Sequence, residues 1–356
     1  MNDLKFYLID KTEYGLWKRL VPDVSLSVFQ TLSWGEYRHK AEGLSSRYCS
    51  LQKRSGEVLA YARIEVLRLP IIKCIYLIQH GPVFKSSIQE RVVAEIFFQN
   101  IIEIARKEGV AFIKVMIDPC AGGNEWTGLF KKLGFKETRF PTLKKVYDST
   151  ILLDLCKTEE SIFKQMATRC RTAIRKAEKS ELYFDSSNSR VSFEEFYQML
   201  YYTANKAGFT LPDKISHRFF WKLVSSREEG RVYVVRYRNE PLAGALITWF
   251  GERAIYLHGG SYDKERKRNA SHYLHWNIIK DLKKRGIKKY DLGGVNRLVT
   301  KDGPGWGIYL FKSGFGGQKI DGLIAMDKII FPFKYFLIKT LYNLRKTIKK
   351  EGLARV

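Results

Sequence analysis

The hydrophobic and polar positions of this chain run through the same pattern twice. Glu57-Val-Leu-Ala-Tyr-Ala-Arg63 begins an alternating stretch that predicts one strand, and Ile75-Tyr-Leu77 predicts the next. From about 87 to 108, Ile88, Val92, Val93, Ile96, Phe97 and Ile101 recur at helical spacing, so the pattern predicts a helix with one buried face. Gly109 supplies its stop, and a strand follows over 110–115. The phrase returns as Glu240-Pro-Leu-Ala-Gly-Ala-Leu246, then Ile255-Tyr-Leu257, then Ile278-Ile-Lys-Asp-Leu-Lys-Lys-Arg-Gly286 with a strand over 287–292. The offsets are 183, 180 and 177 residues. One helix–glycine–strand joint is common in α/β proteins, but three in register argue for an internal duplication. A duplicated αβ module predicts a cleft between the halves, and with it the site.

The remaining pattern fills in around this phrase. Residues 28–40 read as a loop entering a helix, with Ser33 as its cap. Strands are predicted at about 47–53, 58–66 and 74–79, the last broken by Gly81-Pro82. A strand over 112–117 ends at Asp118-Pro119, and a short helix over 126–133 ends at Gly134-Phe135. In the second half come a strand over 150–155 and a helical stretch over 158–179, whose early Glu159 and Glu160 suit the helix dipole. A helix over 193–206 follows, then a hairpin about Asn239-Glu240 and a strand over 254–258. The second long helix is expected to start at Ser271, its cap, and to run to Lys284. The expected boundaries are a first domain over 1–147, a second over 148–325, and a segment over 326–356 returning to the first as a basic helix.

Charge narrows the partners. Lys and Arg number 62 against 37 Asp and Glu, a net charge of +25, which favours polyanions: nucleic acid, phosphorylated substrates or an anionic membrane face. The charge is concentrated, with eight cations against one Glu over 328–356 and five against one over 169–179. No run of 18 apolar residues is present, and the N-terminal residues show no signal-peptide pattern. Five scattered cysteines lack metal-ligand spacing, and six histidines form no zinc motif. A cytoplasmic monomer without metal or cofactor is therefore expected.

Candidate chemistry gathers late in the chain. His258-Gly-Gly-Ser-Tyr-Asp263, followed by Arg266-Lys-Arg-Asn-Ala-Ser271 at a helix start, has the makings of an anion site, or of a solvated loop with an ordinary cap. Tyr290-Asp-Leu-Gly-Gly-Val295 runs a strand into a double glycine, where the backbone can approach a ligand or simply turn. Ile308-Tyr-Leu-Phe-Lys-Ser-Gly-Phe-Gly-Gly317 reads as strand-like, with Lys312 held among glycines as a fixed cation.

These last two segments together resemble the C-terminal signature of the FemABX family, the tRNA-dependent aminoacyltransferases that build peptidoglycan bridges. Phe29-Gln-Thr-Leu-Ser-Trp-Gly35, Gly81-Pro-Val83 and Thr168-Arg-Cys-Arg-Thr-Ala-Ile-Arg-Lys-Ala177 extend the likeness over nearly the whole chain. The resemblance implies an α/β fold of two tandem acetyltransferase-like domains (GNAT-like) packed around a central cleft. It also implies the compact form, because 206–240 leaves no room for a long helical hairpin. By the same resemblance, the donor is aminoacyl-tRNA and the acceptor an amine on a UDP-linked or lipid-linked muropeptide precursor.

Carried over by position, Lys312 meets the tRNA acceptor end and stabilises charge during acyl transfer. Arg38 and Lys206 would contact the precursor's diphosphate, with lysine and arginine exchanged relative to the family at both places. Trp34, Gly81, Gly293, Gly294 and Tyr309 complete the implied substrate contacts. Direct attack by the acceptor amine needs no enzyme nucleophile; a general base is desirable, and Asp118 or Asp291 is the candidate, each equally suited to capping a turn. On this reading the first half holds the acceptor through Arg38, and the second receives the tRNA end. The competing expectations are an acyl-CoA N-acyltransferase of related fold and a non-catalytic binder of nucleic acid or membrane. The basic tail, with Phe331, Phe333 and Phe336, is expected to lie on anionic lipid, touch tRNA or pack on the first domain.

Overall fold

A computed structural model describes residues 3–9, 27–68, 74–84, 90–118, 120, 123–137, 149–296, 298–321 and 325–353. Pro119 and Asp148, both used as boundaries above, lie outside the described residues. The chain divides into two compact units. Unit 1 comprises Met1–Leu20, Leu44–Val146 and Gly322–Val356, and unit 2 comprises Val21–Gly43 and Tyr147–Asp321.

In unit 1 the strands are β1 (Leu4–Ile9), β2 (Ser45–Lys53), β3 (Val58–Leu67), β4 (Ile75–Gln79), β5 (Val83–Phe84), β6 (Phe112–Met116) and β7 (Lys136–Glu137). In unit 2 they are β8 (Ser149–Asp154), β9 (Leu182–Asp185), β10 (Gly230–Tyr237), β11 (Glu240–Phe250), β12 (Arg253–Ser261), β13 (Lys289–Val295) and β14 (Gln318–Asp321). The last strand, β15 (Ala325–Ile329), returns to the first sheet, so the C-terminal segment enters unit 1 as a strand before its helix Pro332–Leu353 begins.

The sequence repeat is a repeat of topology. The first sheet runs β1-β2-β3-β4-β6-β15-β7, and the second, read from its other end, runs β9-β10-β11-β12-β13-β8-β14. In each, three antiparallel steps lead to one parallel pair, β4 with β6 and β12 with β13. Parallel neighbours need a crossover. The repeated helices supply it, Glu90–Lys107 in unit 1 and Ala270–Lys284 in unit 2. Both are amphipathic: Val93, Phe97, Ile101 and Ala105 are buried on one, and Leu274, Ile278 and Leu282 on the other.

Several local expectations shift. Thr31, not Ser33, caps the helix Leu32–Glu42, accepting the Trp34 N–H at 3.1 Å. Ser33 is buried and hydrogen bonded to Glu229. The helical stretch of 158–179 is two helices, Glu159–Gln165 and Thr168–Glu178, the first closed where the Met166 N–H turns to the Phe163 carbonyl. Asn269, in left-handed conformation, takes the cap position expected of Ser271. The hairpin is as patterned, a two-residue turn at Arg238 and Asn239, both with positive φ. The largest departure is 306–313, expected as a strand. It is the helix Trp306–Ser313, begun at Gly305 and ended at Gly314.

Candidate functional site

Unit 2 holds most of the residues singled out in the sequence. Its centre is a one-residue bulge in β13: Asp291 opposes Leu152 of β8, but Gly294 opposes Thr150, so three steps on one strand face two on the other. Asp291 fixes the bulge. Its carboxylate accepts the Gly293 N–H at 2.8 Å and is also engaged by the Thr150 hydroxyl and the Arg253 guanidinium, all buried from solvent. Gly293 takes φ +77°, and a Cβ there would sit 3.1 Å from the Tyr256 carbonyl and 3.5 Å from the Lys312 ammonium nitrogen. The bulge turns the Gly294 carbonyl to Lys312, whose Nζ donates to it at 2.9 Å. The ammonium also lies 5.9 Å from the centre of the Tyr256 ring.

Burial pushes the Lys312 pKa down from 10.5 to about 8, a fall that the Asp291 charge opposes. Lys312 is therefore a cation at neutral pH, desolvated and held at a defined point. Around it the site is aromatic. His275 meets Tyr256 edge-on at 4.5 Å, and its Nδ1 lies 2.9 Å from the Tyr290 hydroxyl. Burial, with the nearby His272 and Lys312, holds His275 down to about 3, so its ring is neutral. Tyr256 is pushed up to about 12 by burial, with Glu265 adding to the rise, and keeps its proton. A phenol and a neutral imidazole leave Lys312 as the cation of this cluster.

The glycines around Lys312 have two different causes. Gly293 takes the left-handed turn of the bulge close under the Tyr256 carbonyl, whereas a Cβ on Gly316 or Gly317 would strike Gln165 or Leu153, so that pair lets the turn lie against the rest of the unit. Sequence reasoning missed Tyr256, His275 and Tyr290 as neighbours of Lys312. A signal for Tyr256 was present in Gly259, where a Cβ would come within 1.6 Å of the Tyr256 hydroxyl oxygen. Gly259→Ala is accordingly expected to displace the Tyr256 ring and lower turnover at least about tenfold, since small misplacements are costly. Unchanged steady-state kinetics in a folded variant would show that the ring's position does not matter.

The other candidates divide. Tyr309 is on the Lys312 helix, one turn earlier, and stacks with Trp306 at 5.5 Å. Trp34 is a core ring, packed on Phe29, Tyr37 and Phe220 at 5.0, 5.2 and 5.7 Å. Arg38 is buried and paired with Glu42, and Lys206 is exposed and paired with Asp263. Arg38 does not belong to the first half. Its helix packs on Lys214–Ser226 within unit 2, because Tyr37 inserts against Phe220 and His217. The expected division, acceptor in the first half and tRNA end in the second, is corrected at this residue.

Asp118 and Gly81 do lie in unit 1. Asp118 Oδ1 accepts the Cys120 N–H at 3.0 Å, a turn cap, and stands 3.9 Å from His80 Nδ1. Gly81 is buried between β4 and β5. Asp291 has its carboxylate engaged by three partners and holds the bulge. The expected anion site at the start of the Ala270–Lys284 helix is also filled from within: Glu265 accepts the Ser271 N–H at 3.1 Å. Among the described residues no three metal-ligating side chains converge, and no helix is long and apolar enough to cross a membrane.

The fold has the α/β acetyltransferase-like form. The crystal structure of FemX matches it with a TM-score of 0.81 at 19% identity, covering 94% of this chain and 100% of that one. A tandem GNAT protein from the clavulanic acid biosynthesis pathway matches at 0.55 and 9%, covering 93% and 99%. In sequence, the model of the FemAB family matches residues 222–343, a span that includes Tyr256, Asp291, the bulge and Lys312. A lipid II:glycine glycyltransferase of Staphylococcus haemolyticus is 20% identical over 96% of this chain and 95% of its own length. The Staphylococcus aureus counterpart is 31% identical over 108 residues, 30% of this chain and 24% of that protein. Over residues 222–343 the chain is thus similar to the FemAB family, and over its length to the fold of FemX.

Proposed function

We propose that this protein transfers an aminoacyl group from aminoacyl-tRNA to an amine of a peptidoglycan muropeptide precursor. The observation that carries the reading is the Lys312 ammonium, desolvated and fixed by the Gly294 carbonyl within the segment that the family model matches. The acceptor nitrogen, as free amine, attacks the ester carbonyl carbon. The C–N bond forms, the C–O bond to the terminal ribose breaks, the nitrogen sheds its surplus proton and the ribose oxygen takes one up. Lys312 faces the negative charge that develops on oxygen. A cation placed in advance in a site of low polarity is worth far more there than in water. The two units are read as a tandem pair of acetyltransferase-like domains, supported by the equivalent order of their sheets.

An acyl-CoA donor fits less well. Acetyltransferases seat the cofactor pyrophosphate at the helix start that Glu265 occupies here, and a carboxylate repels it. The names of the staphylococcal relatives favour a lipid-linked acceptor, and we extend the proposal to the inner membrane face. The helix Pro332–Leu353 supports this, because Phe333 and Phe336 are 78% and 66% exposed in a strongly basic segment. Labelled aminoacyl-tRNAs and acyl-CoAs, each offered with UDP-linked precursor and with lipid-linked precursor in anionic vesicles or detergent, test these points together. Transfer from tRNA is the expected result, faster on vesicles. Transfer from CoA alone would sink the proposal, and equal rates in vesicles and detergent would remove the membrane role.

A further inference from the structure

The helix Thr168–Glu178 buries Cys170, Ala173, Ile174 and Ala177, and its outward face carries Arg169, Thr172, Arg175 and Lys176, continued by Lys179. Among the described residues no carboxylate pairs with any of these four cations, whereas Lys164, Lys206, Lys214 and Lys264 each hold a partner. The helix has 11 residues, a length of about 16 Å. Charge spread over that distance suits a backbone of successive phosphates better than a single diphosphate. It also abuts the Lys312 helix. Arg169 Nη2 donates to the Leu310 carbonyl at 2.5 Å, and the Ala167 N–H donates to the Gly314 carbonyl at 2.9 Å. On that helix the Trp306 and Tyr309 rings stack, beside Ile308, which is half exposed, and one turn from Lys312. Stacked rings next to a row of cations form the combination that single-stranded nucleic acid prefers.

We propose that this face is the docking surface for the donor tRNA. The phosphates of the acceptor stem lie along Arg169, Arg175, Lys176 and Lys179, and a base of the single-stranded 3′ end stacks on the Trp306–Tyr309 pair. The ester on the terminal nucleotide then arrives at Lys312. The inference rests on the aminoacyl-tRNA reading above and adds to it the residues that recognise the RNA.

The test uses the full chain with Arg175→Ala/Lys176→Ala and with Trp306→Ala. Lys288→Ala, a cation already paired with Glu252, serves as the control. Thermal melts establish that each variant is folded. For the double variant, the expected KM for aminoacyl-tRNA rises about tenfold, with kcat and the muropeptide KM unchanged. The slope of log K for tRNA against log salt falls by about 2. Trp306→Ala is expected to weaken intact tRNA about tenfold and to leave tRNA trimmed of its single-stranded 3′ end unaffected. Unchanged tRNA affinity and salt slope in the double variant would overturn the surface, as would an equal Trp306→Ala loss on trimmed tRNA. Absence of transfer by the unmodified protein would instead count against the functional reading, and tRNA binding would still judge the surface.

Discussion

Replacing Lys312 with methionine is expected to lower kcat about 100- to 1,000-fold, the range seen when one fixed donor to a developing oxyanion is lost. On the proposed mechanism, in which Lys312 faces the reacting ester, KM for the muropeptide should change little. Stability should move the other way. The folded pKa of about 8 lies below the ordinary 10.5, so between those values the unfolded chain binds the proton more tightly. The buried charge therefore costs stability in full below pH 8, and the cost fades as pH rises towards 10.5. That gap sets an upper bound of roughly 3 kcal/mol. Losing the hydrogen bond to Gly294 returns about 1 kcal/mol of it. Lys312→Met should thus melt no lower than the parent at neutral pH, and a large drop in melting temperature would mean the loss of rate reflects unfolding. Turnover of the parent should fall as pH rises through about 8, where the ammonium is lost. The weak residual rate of Lys312→Arg should lack that alkaline limb. If the limb persists there, another group causes it.

The second large effect belongs to Asp291. Asp291→Ala leaves Arg253 charged and buried without its carboxylate, a loss of about 3–5 kcal/mol. Pairing it with the apolar change, Asp291→Leu with Arg253→Met, should recover most of that stability by denaturant titration. It should not restore turnover, because the Gly293 N–H has lost its anchor and the Gly294 carbonyl no longer aims at Lys312. The milder Asp291→Asn separates geometry from charge. The Asp291 charge supports the protonated lysine, so its removal should move the alkaline limb of the kcat profile below pH 8. A limb that stays in place would mean that Asp291 does not govern the lysine.

The repeat was legible because its signals are local: alternation, helical spacing and a glycine stop within each copy. Lys312 was legible by its company, but its secondary structure was not. Trp306-Gly-Ile-Tyr-Leu-Phe is rich in residues favoured in strands, and a helix of eight residues is set by Gly305, Gly314 and packing more than by propensity. What surrounds Lys312 could not be read from spacing. Asp291 finds Thr150 across 141 residues and Arg253 across 38. Trp34 and Arg38 were legible as a motif, but their membership in unit 2 depends on Tyr37 meeting Phe220, a contact no local pattern encodes. The anion site failed for a similar reason, because Glu265 folds back onto the helix start it precedes.

The position of β15 bears on how the chain is made. Its Asp327 pairs at 2.7 Å with Lys114 of β6, both within the buried sheet. Lys114 is synthesised more than two hundred residues earlier. Until the last strand leaves the ribosome, β6 keeps an open edge and a lysine that burial would penalise. Domains ordinarily fold in the order they are translated. Here the first sheet is completed last, and the second sheet, in the unit whose helix Trp306–Ser313 carries Lys312, has all of its described strands before the first can close.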